Sequence, residues 1–493
     1  MSFQLSPNVD ENKIFLVNLS SCKTRIDPYY YKPEFSALRE RLENHPSFQR
    51  VGSLIKSWNR GDGPRDGFYT DDAQTGVYFL RVNNLKNHTI DTNEIKYITR
   101  YVHENTLKRA QVTAGDVVFA ISGTKDNLGT VSVIPRNILE ANLNSALVKL
   151  ELDWSIIDKR YFCYMFDLNI TRIQIDFIGK GAAQNNLNNE EISQIHIFLP
   201  SISEQDKIVR YLDEAHFKKK QKEAEAQRSL DSIDDYLLSE LGIALPEPEE
   251  NTIQNRIFYR KLSQVSGGRF DSEYYHLSHY QDLENLKKSP FSLKRLVDVC
   301  HRIVDGPFGS SVKAKDYVKT GIPFIRVADV TNGEGYLKTE NLIFISEEAH
   351  KKIIRSRILP GDVVIAKTGA TMGAACVVPE NFPEANIRGD LAALTVKNEQ
   401  CLSEYVVVFI NTKIGQRLFW RLDSGGTRGR VVIGNLEKLP IVVPPLDIQE
   451  NIVNRVEAIR TQAKQLRQSA AAELEQAKQE VEAMILGERG NKA

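Results

Sequence analysis

Cysteine is scarce in this chain of 493 residues: Cys22, Cys163, Cys300, Cys376 and Cys401 are scattered, with no CxxC pair. Such spacing speaks against a metal cage or a disulfide frame and fits a reducing compartment, the cytoplasm. No apolar run approaches the roughly 18 residues that a membrane span needs, so no membrane partner is expected. The opening stretch, MSFQLSPNVDENK, lacks the basic start and apolar core of a secretory signal. Neither charge is in surplus, with 64 basic and 64 acidic residues. Any surface for a polyanion must therefore be a local patch.

Catalytic signatures are missing too. There is no G-x-x-x-x-G-K-[ST] phosphate loop; the stretch from Lys367 to Gly373 is Gly-rich but carries its lysine at the wrong end. The nine histidines form no HExxH and pair with no candidate cysteine nucleophile. Val443-Pro-Pro-Leu446 lacks the asparagine and the aromatic of the N-P-P-[YF] motif of amino-methyltransferases, and sits where a strand meets a helix. The chain is expected to catalyse nothing alone, to hold no metal and to carry no cofactor of its own.

What is present is a repeat, the feature to be sought first in a long chain. IHIFLPSISEQDKIVRYLDEAH, from Ile195 to His216, returns as LPIVVPPLDIQENIVNRVEAIR from Leu439 to Arg460. Pro200 and Pro444, and Gln205 and Gln449, both lie 244 residues apart. Ile195, Ile197 and Leu199 alternate as a half-buried strand does, as do Leu439, Ile441 and Val443. Proline then stops the strand. Ser203 with Asp206, and Asp447 with Glu450, have the spacing of a capping box at a helix start.

Other doublets follow in the same order. Arg25-Ile-Asp27-Pro-Tyr-Tyr30-Tyr31 answers Arg269-Phe-Asp271-Ser-Glu-Tyr274-Tyr275, and reads as a structural anchor. Gly76 to Val82 answers Gly321 to Val327. Gly115-Asp116-Val-Val118 answers Gly361-Asp362-Val-Val364, a turn before a buried strand. Glu140-Ala-Asn142 answers Glu384-Ala-Asn386. A nuclease pattern from Asp362 to Lys367 fails, because the twin segment has Ile121 where the lysine would stand. The fold class is therefore α+β: two repeated mixed α/β modules, each tied to a long helix.

The second long helix carries a heptad-like stripe: Ile452, Val456, Ile459, Ala463, Leu466 and Ala470, continued by Leu474, Ala477, Val481 and Ile485 after a one-residue slip. The first has Ile208, Leu212, Ala215, Leu230, Ile233 and Leu237, weak in the middle around Lys218-Lys219-Lys220. The economical arrangement packs the two on each other as an antiparallel coiled coil. The expected division is a first module over 1–202, with 1–24 as an extension lacking a twin, then a helix over 203–243. A polar, proline-bearing linker over 244–268, a second module over 269–446 and a second helix over 447–487 follow.

Modules that bind without reacting must recognise something, and both sets of loops are rich in Gly, Asn, Gln, Arg and Lys. Asn and Gln suit bidentate contacts to adenine, Arg suits guanine, and lysines suit phosphates. The DNA-binding candidates in the first module are Arg81, Asn83, Asn84, Lys125, Lys180, Gln184, Asn185 and Asn186. In the second they are Ser310, Ser311, Lys313, Lys315, Arg326, Lys367, Thr368, Arg388, Thr427, Arg428 and Arg430.

Over residues 25–487 the chain resembles the specificity (S) subunit of a type I restriction–modification system. The resemblance is carried by the doubled R-[IF]-D-x-x-Y-Y, G-D-V-V and P-x-x-x-x-Q segments, with Asp305-Gly-Pro-Phe-Gly-Ser310-Ser311 and Val443-Pro-Pro-Leu446-Asp-Ile-Gln449-Glu450. It implies that the modules are target recognition domains, each reading half of a bipartite double-stranded DNA site. It implies that the long helices are spacers that set the gap and dock two methyltransferase (M) subunits. Those would hold S-adenosylmethionine and methylate adenine, while restriction (R) subunits translocate and cut. The first module departs from the pattern at Asp62-Gly-Pro-Arg65-Asp66-Gly67 and at Leu199-Pro-Ser-Ile. Because the loops of the modules differ, the two half-sites are expected to differ. Two other classes compete: the recognition part of a fused methyltransferase and restriction enzyme, and a repeat-built adaptor holding protein partners without DNA.

Overall fold

A computed structural model shows how the repeat is built. The structure describes residues 13–18, 22, 28–64, 68–178, 185–246, 252–253, 257–265, 274–307, 311–331, 333–423 and 429–487. The chain forms two compact units, residues 1–221 with 469–493, and residues 222–468.

Each unit contains the same two sheets. In the first, a four-stranded antiparallel sheet runs Val131–Val133, Val117–Ala120, Leu147–Leu152, Ile55–Arg60. In the second, the order is Ala375–Val377, Val363–Ala366, Leu391–Val396, Cys300–Asp305. A five-stranded sheet accompanies each, with one parallel pair inside an otherwise antiparallel ladder. That pair is Val77–Leu80 with Ala141–Leu143 in the first unit and Ile322–Ile325 with Ala385–Ile387 in the second.

The uninterrupted apolar strands after the Gly-Asp turns are explained by burial on both faces. Val117 and Phe119 face a core shared with helix Lys159–Asp167, while Val118 and Ala120 face the core shared with the five-stranded sheet. Val363 and Ile365, against Val364 and Ala366, divide in the same way. The preceding turn needs a positive φ, +87° at Gly115 and +83° at Gly361, which glycine adopts without steric cost.

The recurring polar residues are buried staples. Gln205 and Gln449 have no exposed surface. The Gln205 side chain accepts from the Asp158 amide (2.9 Å) and donates to the carbonyls of Pro200 and Ile156 (both 2.9 Å). Gln449 accepts from the Leu402 amide (2.8 Å) and donates to the carbonyls of Pro444 (2.7 Å) and Gln400 (3.1 Å). Each glutamine thus fixes the start of a long helix to the start of the helix that covers the four-stranded sheet. Asn142 and Asn386, from the doubled Glu-Ala-Asn, both meet a histidine Nδ1 at 2.6 Å, that of His103 and His350. Of the doubled anchor, the rings are described: Tyr30–Tyr31 and Tyr274–Tyr275 meet edge to face at 5.1 and 5.0 Å. Arg25, Asp27, Arg269 and Asp271 lie outside the described residues.

The long helices span Ile202–Glu240 and Leu446–Ile485, packed as an antiparallel coiled coil. In the first unit Ile208 and Leu212 share a core with Ala477, Val481 and Ile485, and the Tyr211 hydroxyl donates to Glu480 at 2.6 Å. In the second, Ile233 and Leu237 share a core with Ile452, Val456 and Ile459. Every residue of the second stripe is buried except Leu466, which is half-buried. The helix starts correct the expectation by one residue each. The box at the first is Ser201 with Glu204, hydroxyl to carboxylate at 2.7 Å, not Ser203 with Asp206. The second begins ahead of Asp447, its first turn bonding back to the Pro445 carbonyl.

No helix among the described residues is long and apolar enough to cross a membrane. The five cysteines are all free thiols. Burial pushes Cys300, Cys376 and Cys401 up to about 12, and Cys163 higher still. A thiol reagent at pH 8 is therefore expected to modify Cys22 alone in the native protein, since attack needs the exposed thiolate. Rapid native labelling of two or more thiols would contradict this.

Candidate nucleic-acid interface

The strand ends define one edge of each unit. In the second unit Cys300–Asp305 ends where Leu391–Val396 begins and where Val363–Ala366 ends, because Asp305 pairs with Ala392 and Ala366 with Leu391. The loops that leave these strands must therefore converge. The amide of Lys367 bonds to the Asp390 carbonyl and that of Val431 to the Lys367 carbonyl, each 2.9–3.0 Å. Thr368 bridges Arg430, and the amide of Arg388 bonds to the carbonyl of Ile325, beside Arg326. A side chain at Gly306 would stand 2.0 Å from the Arg388 carbonyl oxygen, so the Asp305-Gly-Pro turn lies flat against that loop. Thr368, Arg388, Arg430 and Arg326 are thereby gathered on one edge, with Arg388 and Arg430 exposed.

The first unit repeats the convergence with other chemistry. Ser122 pairs with Asn186, and Gly123 with Asn185, the counterpart of Thr368 with Arg430. Arg81, Asn83 and Asn84 line a polar depression of about 460 Å³ with Lys86, Asp91, Asn93, Glu94 and Asn127. Arg172 clamps the adjoining turn, donating to the carbonyls of Leu128 (2.6 Å) and Lys125 (2.9 Å), while Lys125 pairs with Asp176 at 2.9 Å. The first edge is thus rich in carboxamides and the second in guanidinium groups.

Several expected contacts are replaced by structural roles. Lys367 is fully buried and its amine is committed to the Asp305 carboxylate; it holds the turn instead of reaching outward, which corrects its assignment as a phosphate contact. Asn84 is also buried. It accepts from the Arg81 amide at 3.0 Å and donates to the Asp91 carbonyl at 3.1 Å, bracing the loop rather than facing out of it. The Arg326 guanidinium forms a two-pronged pair with Asp329 at 3.1 and 2.8 Å. Lys313, Lys315 and Ser311 are exposed. They precede strand Tyr317–Val318, which is level with Ile322, the opposite end of the five-stranded sheet from Arg388. Lys180, Gln184, Ser310, Thr427, Arg428 and the Asn185 side chain lie outside the described residues.

Sequence reasoning missed Lys86, Asn93 and Asn127. The signal for Lys86 was its place two positions beyond Asn84; for Asn127 there was none, since it meets the depression from another loop.

Comparison with known proteins gives these edges a context. Residues 69–228 and 288–476 each match the type I restriction modification DNA specificity domain. The specificity subunit of the type I restriction enzyme EcoBI from Escherichia coli is 24% identical over 144 residues, which span 29% of this chain and 29% of that relative. Among solved structures, a chain from the structural study of assembly and conformational transition in a type I R-M system is 18% identical. It aligns over 91% of this chain and 99% of its own, with a TM-score of 0.48. The S subunit of a type I system from M. genitalium is 12% identical over 90% of this chain and 97% of its own, with a TM-score of 0.37. The two matched segments together cover more than half of the residues, in the same order as the two units: the chain belongs to the type I restriction–modification DNA specificity family and carries two copies of its domain.

Proposed function

We propose that this chain is the DNA-reading subunit of a type I restriction–modification complex, and that each unit reads one half of an interrupted, asymmetric site. The observation that carries this is the duplicated edge, where loops from three strand ends meet in both units with different side chains. Carboxamides on the first edge favour adenine and guanidinium groups on the second favour guanine, because these pairs form bidentate bonds in the major groove. The long helices, of 39 and 40 residues, would each reach about 60 Å at 1.5 Å per residue. That is enough to hold two readers more than one DNA turn, about 34 Å, apart. Phe217 and Met484 are apolar and exposed on the stretch of the helices that belongs to the first unit, which supports docking of a methyltransferase subunit there, one of two that would bind. Those partners would hold the S-adenosylmethionine and methylate adenine, and restriction subunits would cut.

Long-read mapping of adenine methylation in the native host, with and without this gene, tests the proposal. A split motif with a fixed gap should lose its methylation in the deletion strain. An unchanged methylome in a host whose methyltransferase partner is expressed would contradict it.

A further inference from the structure

A second cluster in the first unit has a different chemistry. His88 sits in the tight turn between Leu85–Lys86 and Thr89–Ile90, where Asn87 and His88 have φ of +50° and +60°. Asp167 ends helix Lys159–Asp167, and His216 stands on the first long helix. One donor atom from each lies within 4.8 Å of the other two, and His88 Nε2 is 2.8 Å from Asp167 Oδ2. Nε2 of His216 is covered from solvent and has no hydrogen-bond partner, an arrangement that is costly to leave unmet. Tyr164 walls the cluster, edge-on to His88 at 4.6 Å and tilted over His216 at 5.5 Å.

The other unit supplies an internal control. The positions equivalent to Asp167 and His216 are Asn411 and Arg460, and the turn that answers the His88 turn is the longer one between Val330 and Leu337, which holds Gly333. There the Arg460 guanidinium donates straight to the Gly333 carbonyl at 3.1 Å, tying loop to helix with one hydrogen bond. The second unit therefore ties this loop directly to a long helix, whereas the first brings three side chains together there with the loop bonded to Asp167 and the His216 Nε2 on the long helix left without a partner.

We infer that His88, Asp167 and His216 form a site for a divalent cation of the zinc type, which clamps the loop bearing Arg81, Asn83 and Lys86 to the long helix. Two imidazole nitrogens and one carboxylate oxygen suit zinc, cobalt or nickel and not calcium or magnesium, which take oxygen ligands. A tetrahedral ion with bonds of about 2.0–2.1 Å separates its ligands by about 3.3 Å. The His88–Asp167 contact must open by about 0.5 Å, and Lys478, 3.6 Å from Asp167, must swing aside. Three protein ligands leave the fourth position to water.

The test is titration of tag-free, chelator-treated full-length protein with cobalt(II), followed by its visible absorption, and with zinc, followed by melting. One equivalent of cobalt should give saturable tetrahedral bands, and zinc should raise the melting temperature by about 5 °C. His216→Ala should abolish both. His88→Asn, which keeps a residue suited to positive φ in the turn, should abolish both without unfolding the protein. Absence of saturable cobalt binding, or bands that persist unchanged in the folded His88→Asn protein, would overturn the site.

Discussion

Gln449→Leu is expected to destabilise the second unit by about 3 kcal/mol. The substitution keeps the volume but leaves the Leu402 amide and the carbonyls of Pro444 and Gln400 without their partner. A buried backbone group without a partner costs roughly 1–3 kcal/mol, and the three losses overlap because the backbone relaxes around them. For a unit of this size each kcal/mol lowers the midpoint by about 2–4 °C, so a fall of about 6–12 °C is expected in a calorimetric scan. Gln205→Leu should act similarly through the Asp158 amide and the carbonyls of Pro200 and Ile156. Glu450→Ala, next to Gln449 but exposed, should change little, within about 0.5 kcal/mol. A Gln449→Leu protein as stable as the unsubstituted chain would show that these bonds do not hold the helix start.

Alanine at both Arg388 and Arg430 is expected to weaken binding to the cognate duplex by roughly 30- to 25,000-fold, the sum of two bidentate base contacts, with little change in stability. Each arginine is exposed at the second edge, and a bidentate contact to a base is worth about 1–3 kcal/mol. The salt dependence separates two ways of losing affinity. If an arginine neutralises a phosphate, the slope of log K against log salt falls by about one per residue. If it reads a base, discrimination at one position of the site relaxes. Lys367→Met provides the contrast. Its amine pairs with Asp305 inside the fold, so the loss should appear as a lower melting temperature with an unchanged salt slope. Undiminished cognate binding by the Arg388/Arg430 double variant would remove the second edge from consideration.

The duplication was legible because the residues that recur are those the backbone requires. Gly115 and Gly361 supply a positive φ, Gln205 and Gln449 staple a helix start, and Asn142 and Asn386 hold a histidine; each imposes a fixed spacing on the chain. The helix starts were less legible. Ser201-x-x-Glu204 and Ser203-x-x-Asp206 overlap in one stretch, and only the direction of the chain decides which pair caps. Burial was not legible in the loops. A lysine beside glycines reads the same whether it faces solvent, like Lys125, or is buried against an aspartate 62 residues earlier, like Lys367. The His88–Asp167 contact bridges 79 residues, and no local spacing announces such a pair.

The central claim is that the two units read their half-sites independently. Methylation mapping of a host carrying this chain with alanine at Asn83 and Asn127 in the first edge, beside one with alanine at Arg388 and Arg430 in the second, tests it most directly. Each pair of substitutions is expected to relax or abolish recognition in a different half of the split motif, leaving the other half and the gap unchanged. Loss of sequence preference in the same half for both proteins, or a target motif that is a near-palindrome, would contradict it.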